Sequence, residues 1–137
     1  KAEQKCRELG MCDHVRFLGK QEQVEEVLSI ADLFMIPSGS ETFGLAALEA
    51  MSCSVPVISS NVGGLPEVNI HGLTGYLCEL GDVECMGQKA TEILKDDKLH
   101  EKMSKAARER AEVFEIGKIV TTYEDYYQEV KEGLTGT

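Results

Sequence analysis

Leu33-Phe34-Met35-Ile36-Pro37-Ser38-Gly39-Ser40-Glu41-Thr42-Phe43-Gly44-Leu45-Ala46-Ala47-Leu48-Glu49-Ala50-Met51 changes its pattern part-way along. The first four residues form a continuous apolar run, as in a strand covered on both faces of a parallel sheet. Pro37 closes the run, and a small, polar loop follows. From about Thr42 to Cys53 the chain is strongly apolar, which predicts a largely buried helix. A strand that hands over to a helix through a short loop is half of a strand–helix–strand unit.

The same alternation extends both ways from this stretch. Upstream, residues 1–9 read as a helix closed by Gly10, a natural residue after a helix end. Val15-Arg16-Phe17-Leu18 reads as a short strand ended by Gly19. Gln21 to Ala31 carries a helical stripe of Val24, Val27, Leu28 and Ala31. Downstream, Val55-Pro56-Val57-Ile58 reads as a strand with its proline near the start, where it is tolerated. Asn61 to Pro66 is a loop leading into a helical turn, with Pro66 suited to a first helical position. Gly72 to Gly75 turns into a strand at Tyr76-Leu77-Cys78. Helices are predicted over Val83–Lys95, Asp97–Phe114 and Ile116–Glu132, with Asp82 and Asp96 or Asp97 as N-caps. The tail from Gly133 to Thr137 is expected to fray.

Repeated units of this kind predict an α/β domain, a parallel sheet with flanking helices and right-handed crossovers. Ligands of such sheets lie at the carboxyl ends of the strands. That rule selects three loops: Pro37 to Thr42, Ser59 to Leu65, and Gly19 to Gln21.

Composition narrows the function. The chain has 137 residues, a net charge of -10 and 42% hydrophobic residues. Its sequence pI is near 4.7. An acidic surface disfavours nucleic acid as a partner. A phosphate-bearing ligand would have to be held by local features against the mean field. No apolar run is long enough to cross a bilayer as a helix. The start is charged and polar, unlike a signal peptide. Five cysteines, an odd number without a CxxC pair, point to reduced thiols in a cytoplasmic protein. His14, His71 and His100 are far apart in sequence, and no metal site is expected.

The predicted helix start near Thr42 or Phe43 carries the chemistry. Its first amides have no partner within the helix, and with the helix dipole they favour an anion such as a diphosphate. Gly44 has no Cβ, so a ligand can approach the backbone. Glu41 precedes this start, and Glu49 follows two turns on at roughly 3.6 residues per turn. Carboxylates make strong, charge-assisted hydrogen bonds to sugar hydroxyls. The plain alternative is two solvated surface glutamates. Against it, Ala46, Ala47, Leu48, Ala50 and Met51 surround Glu49, and a buried carboxylate needs partners.

Glu41-x7-Glu49 with the embedded Phe43-Gly44-Leu45 resembles the signature of family 4 retaining glycosyltransferases, two-domain enzymes of the GT-B type. The likeness continues through Val15 to Gly19, Val55 to Ile58, Gly63-Gly64-Leu65-Pro66-Glu67 and His71 to Tyr76, nearly the whole chain. Ser54 departs from it, since the family usually has glycine there.

The resemblance implies that residues 1–137 are part of a Rossmann-like nucleotide-sugar-binding domain, the carboxy-terminal half of a GT-B enzyme, with a crossover helix at 117–132. Glu41, Phe43, Gly44 and Leu45 would hold the donor sugar and diphosphate. Glu49 would bind the ribose, and Phe17, Leu18 and Gly19 would border the base. Gly63 and Gly64 would either meet the ligand or only permit a tight turn beside the pocket. No catalytic residue is assigned, and no metal or cofactor is implied; the UDP-sugar is a substrate. The basic pair that neutralises the diphosphate cannot be assigned here. The small hydroxyl acceptor would be bound by a domain outside this chain.

Residues Gly75 to Asp82 and Lys118 to Tyr127 are worded like family members that join N-acetylglucosamine to L-malate in bacillithiol synthesis. The implied reaction is therefore retaining transfer of N-acetylglucosamine from a UDP-sugar to L-malate. A different sugar or acceptor, or a non-catalytic binding module, is the alternative. The family's strand order puts two strands between those at Val15 and Leu33. Without them, this chain is expected to shift the Val15 strand or to self-associate.

Overall fold

The computed structural model describes residues 1–115. The helix expected beyond Ile116, with Tyr123, Tyr126 and Tyr127, lies outside the described residues. The described elements are α1 (Ala2–Glu8), α2 (Val24–Leu28), β1 (Phe34–Ile36), α3 (Leu45–Ser52), β2 (Val57–Ser60), α4 (Leu65–Val68), β3 (Gly75–Cys78), α5 (Val83–Lys95) and α6 (Asp97–Val113).

The three strands form a parallel sheet in the order β1-β2-β3. Phe34 pairs with Val57, and Val57 with Gly75. Gly75 is required there, because a Cβ on it would fall 1.7 Å from the Val57 carbonyl oxygen. The core lies on both faces of the sheet, as expected for an α/β layer structure. On one face Ile36 and Val57 pack with Leu28, Ala47, Met51 and Leu65. On the other, Ile58, Tyr76 and Cys78 pack with Met86, Ile93 and Met103. Helix α6 serves both clusters, through Ala107 and Met103.

Helix ends follow the local chemistry. Asp82 caps α5 by accepting from the Cys85 amide at 2.8 Å, and Asp96 caps α6 through the amides of Lys98 and Leu99. Gly10 follows α1 at φ +64°, with its amide on Arg7 and that of Met11 on Cys6. This is the left-handed helix end that glycine favours. Ser54 closes α3 in the same way at φ +63°, the one non-glycine residue with positive φ among those described. The family's glycine therefore sits where a left-handed residue is needed.

Several expectations need correction. Val15 to Leu18 is not a strand of the sheet: the segment joins no ladder, and Val15, Phe17 and Leu18 are exposed. A strand is held by its neighbours, and this one has none among the described residues. The stripe from Gln21 to Ala31 narrows to five helical residues, Val24–Leu28. Cys78 and Cys85 form a disulfide joining the end of β3 to the first turn of α5, whereas reduced thiols were expected. Cys6, Cys12 and Cys53 are free.

From sequence, the Lys and Glu pairs on residues 97–112 read as a solvated helix face. The exposed pair Arg108–Glu112, 3.1 Å apart, fits that description and contributes little. However, Arg108 also donates to the Ser52 carbonyl at the end of α3. Arg110 donates to the carbonyls of Glu67 and Val68 at the end of α4. His100 Nε2 lies 2.7 Å from the Asp32 carbonyl, just before β1. Cationic groups at helix carboxyl ends satisfy orphan carbonyls and complement the dipole. Helix α6 therefore ties together the segments leading into all three strands.

Candidate functional site

The site is built around the loop between β1 and α3. Helix α3 begins at Leu45, two or three residues later than expected. The reason is Gly44, which sits at φ +85° and so cannot open a right-handed helix. Its Cβ position is also filled: Leu65 Cδ2 would be 3.1 Å away. Glycine is thus needed at this position for the turn and for packing against α4, before any ligand is considered.

No side chain caps the start of α3. The half-buried Glu41 instead reaches one residue short of it, where its Oε1 accepts from the Gly44 amide at 3.3 Å. The amides of Leu45, Ala46 and Ala47 occupy the first turn, where a helix offers no internal acceptor. A carboxylate has roughly four lone-pair positions, so Glu41 retains capacity for hydroxyl donors.

The loop after β2 holds this arrangement in place. The Gly64 amide donates to the Glu41 carbonyl at 3.0 Å. A Cβ on Gly63 would fall 1.7 Å from that same oxygen. A Cβ on Gly64 would lie 2.5 Å from the Thr42 carbonyl oxygen and 2.8 Å from Phe43 Cα. Of the two roles left open for Gly63 and Gly64, close backbone approach accounts for both residues. Leu65, Glu41, Phe43, Gly44, Gly63 and Gly64 are thereby brought together.

Beneath that loop lies a polar network that sequence reading missed. Asn69 is fully buried. Its Nδ2 donates to the carbonyl of Val57 at 3.1 Å, to Ser59 Oγ at 2.9 Å and to the carbonyl of Tyr76 at 3.1 Å. Its Oδ1 accepts from Thr74 Oγ1 at 2.8 Å, and Thr74 in turn accepts from the Ile70 amide. One side chain thus bridges β2 and β3. The available signal was an amide residue between Val68 and Ile70, at a place where an apolar residue would otherwise serve.

Glu49 is exposed, which removes the argument from burial made for it. Helix α3 does bury Ala47, Ala50 and Met51, but Glu49 lies on the opposite face with Leu45 and Ser52. That face lines an open groove of about 710 Å³, with α6 and its end supplying Arg108, Ala111 and Phe114. Glu41 does not line this groove. Phe17, Leu18 and Gly19 are exposed, and Phe17 lines a separate cavity of about 300 Å³ with Cys6 and Cys12. The structure therefore does not bring the residues expected at the base to Glu41 or Glu49. Outside the sheet, that segment is not aligned with the strand ends.

On the α5 side, Tyr76 donates to Glu92 Oε1 at 2.5 Å. This hydrogen bond and partial burial push the phenol up to about 12. Glu92 is held below its usual range, first by Lys89 at 2.7 Å and then by Tyr76. No group of three or more metal-ligating side chains is present among the described residues. No described helix is long and apolar enough to cross a membrane.

Residues 1–110 match the family model described as glycosyl transferases group 1. The chain belongs to this family. It is 49% identical over 125 residues to N-acetyl-alpha-D-glucosaminyl L-malate synthase of Bacillus anthracis, covering 90% of this chain and 33% of that protein. Among solved structures it resembles sucrose-phosphate synthase from Thermosynechococcus elongatus, with a TM-score of 0.86, 32% identity and coverage of 96% and 34%. It also shares the fold of Anabaena HepE, solved in complex with UDP, with a TM-score of 0.84, 24% identity and coverage of 96% and 36%. This group 1 glycosyltransferase chain thus spans about a third of the length of the proteins it matches. Its parallel, Rossmann-like sheet is the corresponding piece of a GT-B enzyme.

Proposed function

We propose that this chain is the donor-binding part of a retaining glycosyltransferase that moves N-acetylglucosamine from a UDP-sugar to L-malate. The observation that carries the reading is the uncapped start of α3, with Glu41 fixed beside it and Glu49 about one turn into the helix on its exposed face. The amides of Leu45 to Ala47 and the helix dipole would meet the diphosphate. Glu41 would accept hydrogen bonds from sugar hydroxyls, and Glu49 from the ribose. During transfer the bond from the anomeric carbon to the diphosphate oxygen breaks. A bond to the acceptor oxygen forms on the same face, and the acceptor's proton passes to the departing diphosphate oxygen. The diphosphate leaves with its charge stabilised by preorganised dipoles, and no metal is required. Positioning supplies the rest.

The choice of sugar and acceptor rests on the 49% identity to the malate synthase. The HepE complex supports UDP as the nucleotide. The test is product analysis with the full-length protein that contains this chain. UDP-N-acetylglucosamine and UDP-glucose are offered, each with L-malate or with a sugar phosphate. The expected product is N-acetylglucosaminyl malate with retained anomeric configuration. Transfer only to a sugar phosphate would move the assignment to another member of the family. For this chain alone, weak UDP binding is expected, and submicromolar affinity would contradict the account of an absent basic pair.

A further inference from the structure

Phe114 follows the last turn of α6 as its C-cap, with its amide on the Ala111 carbonyl. Its ring meets the ring of Phe43 edge-on, with centroids 5.8 Å apart and planes at 76°. This is a favoured aromatic arrangement. On Phe114 also lies the guanidinium of Arg110, 4.8 Å from the ring centre. That guanidinium is itself anchored on the carbonyls of Glu67 and Val68 at the end of α4. Helix α4 begins immediately after Gly64, which packs against Phe43 Cα. The contacts form a closed circuit: Phe43 to Phe114, to Arg110, to α4, to Gly64 and back to Phe43. Phe43 is only half-buried, and its main chain stands immediately before the left-handed turn that opens α3. Without Phe114 its ring would lose this stop.

We propose that Phe114 is a positioning residue for the donor loop, setting Phe43 and, through it, the main chain from Thr42 to Leu45 that leads into the helix-start amides proposed to meet the diphosphate. The inference rests on the proposed role of that loop. Phe114 acts through another residue and does not itself need to touch the donor. The ring, rather than apolar bulk, is what the circuit uses, because it serves both as the partner of Phe43 and as the platform for Arg110.

The test uses this chain with UDP as the probe, and compares wild type with Phe114→Leu, Phe114→Tyr, Phe43→Leu and the double leucine variant. Amide hydrogen exchange is read at Gly44 and Gly64, both held by Glu41, and at Val57, held by Thr74 in the sheet. UDP affinity is read by amide shift titration. Phe114→Leu is expected to speed exchange at Gly44 and Gly64 but not at Val57, and to weaken UDP binding about tenfold. Phe114→Tyr should restore both. The two leucine changes should be less than additive in the double variant, since they break one contact. Equal acceleration at Val57 would mean general destabilisation and would overturn the proposal. So would full additivity, or unchanged UDP affinity in Phe114→Leu. If the wild-type chain shows no UDP binding while the exchange pattern appears as expected, the failure lies in the donor reading on which the inference rests.

Discussion

Gly63 approaches Glu41 so closely that a Cβ on it would fall 1.7 Å from the Glu41 carbonyl oxygen. Gly63→Ala must therefore move one of the two loops that shape the site, and it must do so at φ +53°, where a side chain is strained. Unfolding in urea should show a loss of about 2–4 kcal/mol. Gly81→Ala is the control. It sits at φ +82° but has nothing within 4 Å, so only the backbone cost of about 1–2 kcal/mol should appear. Equal losses in the two variants would show that the close approach carries no weight.

Asn69 donates to acceptors on both β2 and β3, the carbonyls of Val57 and Tyr76 and the hydroxyl of Ser59. Asn69→Leu would remove the partner of the buried Ser59 hydroxyl and the bridge between the strands, at a cost of about 1–3 kcal/mol for the group so stranded. Asn69→Asp is the sharper change, because a carboxylate of the same shape can only accept when ionised. It should be the more destabilising at neutral pH and should recover in part as the solution is acidified. A urea midpoint for Asn69→Asp that does not move with pH would rule out this account.

Much of the fold was legible because periodicity and punctuation agree. The apolar run before Pro37, the small residues of α3 and the capping aspartates all report local preferences. The Val15 segment misled because its pattern describes a strand without saying whether a neighbour exists to pair with it. Glu49 misled for a related reason. Its neighbours in sequence are apolar, but at positions 47, 50 and 51 they turn to the core, while 49 turns away. The loop between β1 and α3 was singled out in the sequence through Glu41 and Gly44. Gly63 and Gly64 were singled out beside it, whereas Asn69 and Phe114 make contacts across distances in sequence that no local pattern encodes.

Ser54 follows α3 in a left-handed conformation, with its amide on the Met51 carbonyl and that of Val55 on Ala50. A residue with a Cβ there costs roughly 1–2 kcal/mol, and glycine returns part of this through greater freedom in the unfolded chain. Ser54→Gly should therefore stabilise the protein by about 0.5–1 kcal/mol, seen as a higher urea midpoint with an unchanged slope. A lower midpoint would mean that the serine contributes more than its backbone cost.

The Tyr76–Glu92 contact gives the fold an alkaline dependence whose sign can be fixed. The folded phenol holds its proton up to about 12, whereas the reference value is 10.0. Between these values the unfolded chain binds fewer protons than the folded one. Stability from this group is therefore complete below pH 10 and is lost as pH rises through the folded value. The hydrogen bond to Glu92 is the first cause, so Tyr76→Phe should flatten this part of the curve without removing the contact between Lys89 and Glu92. The measurement is the urea midpoint of both proteins across this alkaline range, with free cysteines alkylated to prevent thiol exchange. The difference between the two curves is the quantity to read. It should narrow as pH rises, and curves that stay parallel would place the proton-linked stability elsewhere.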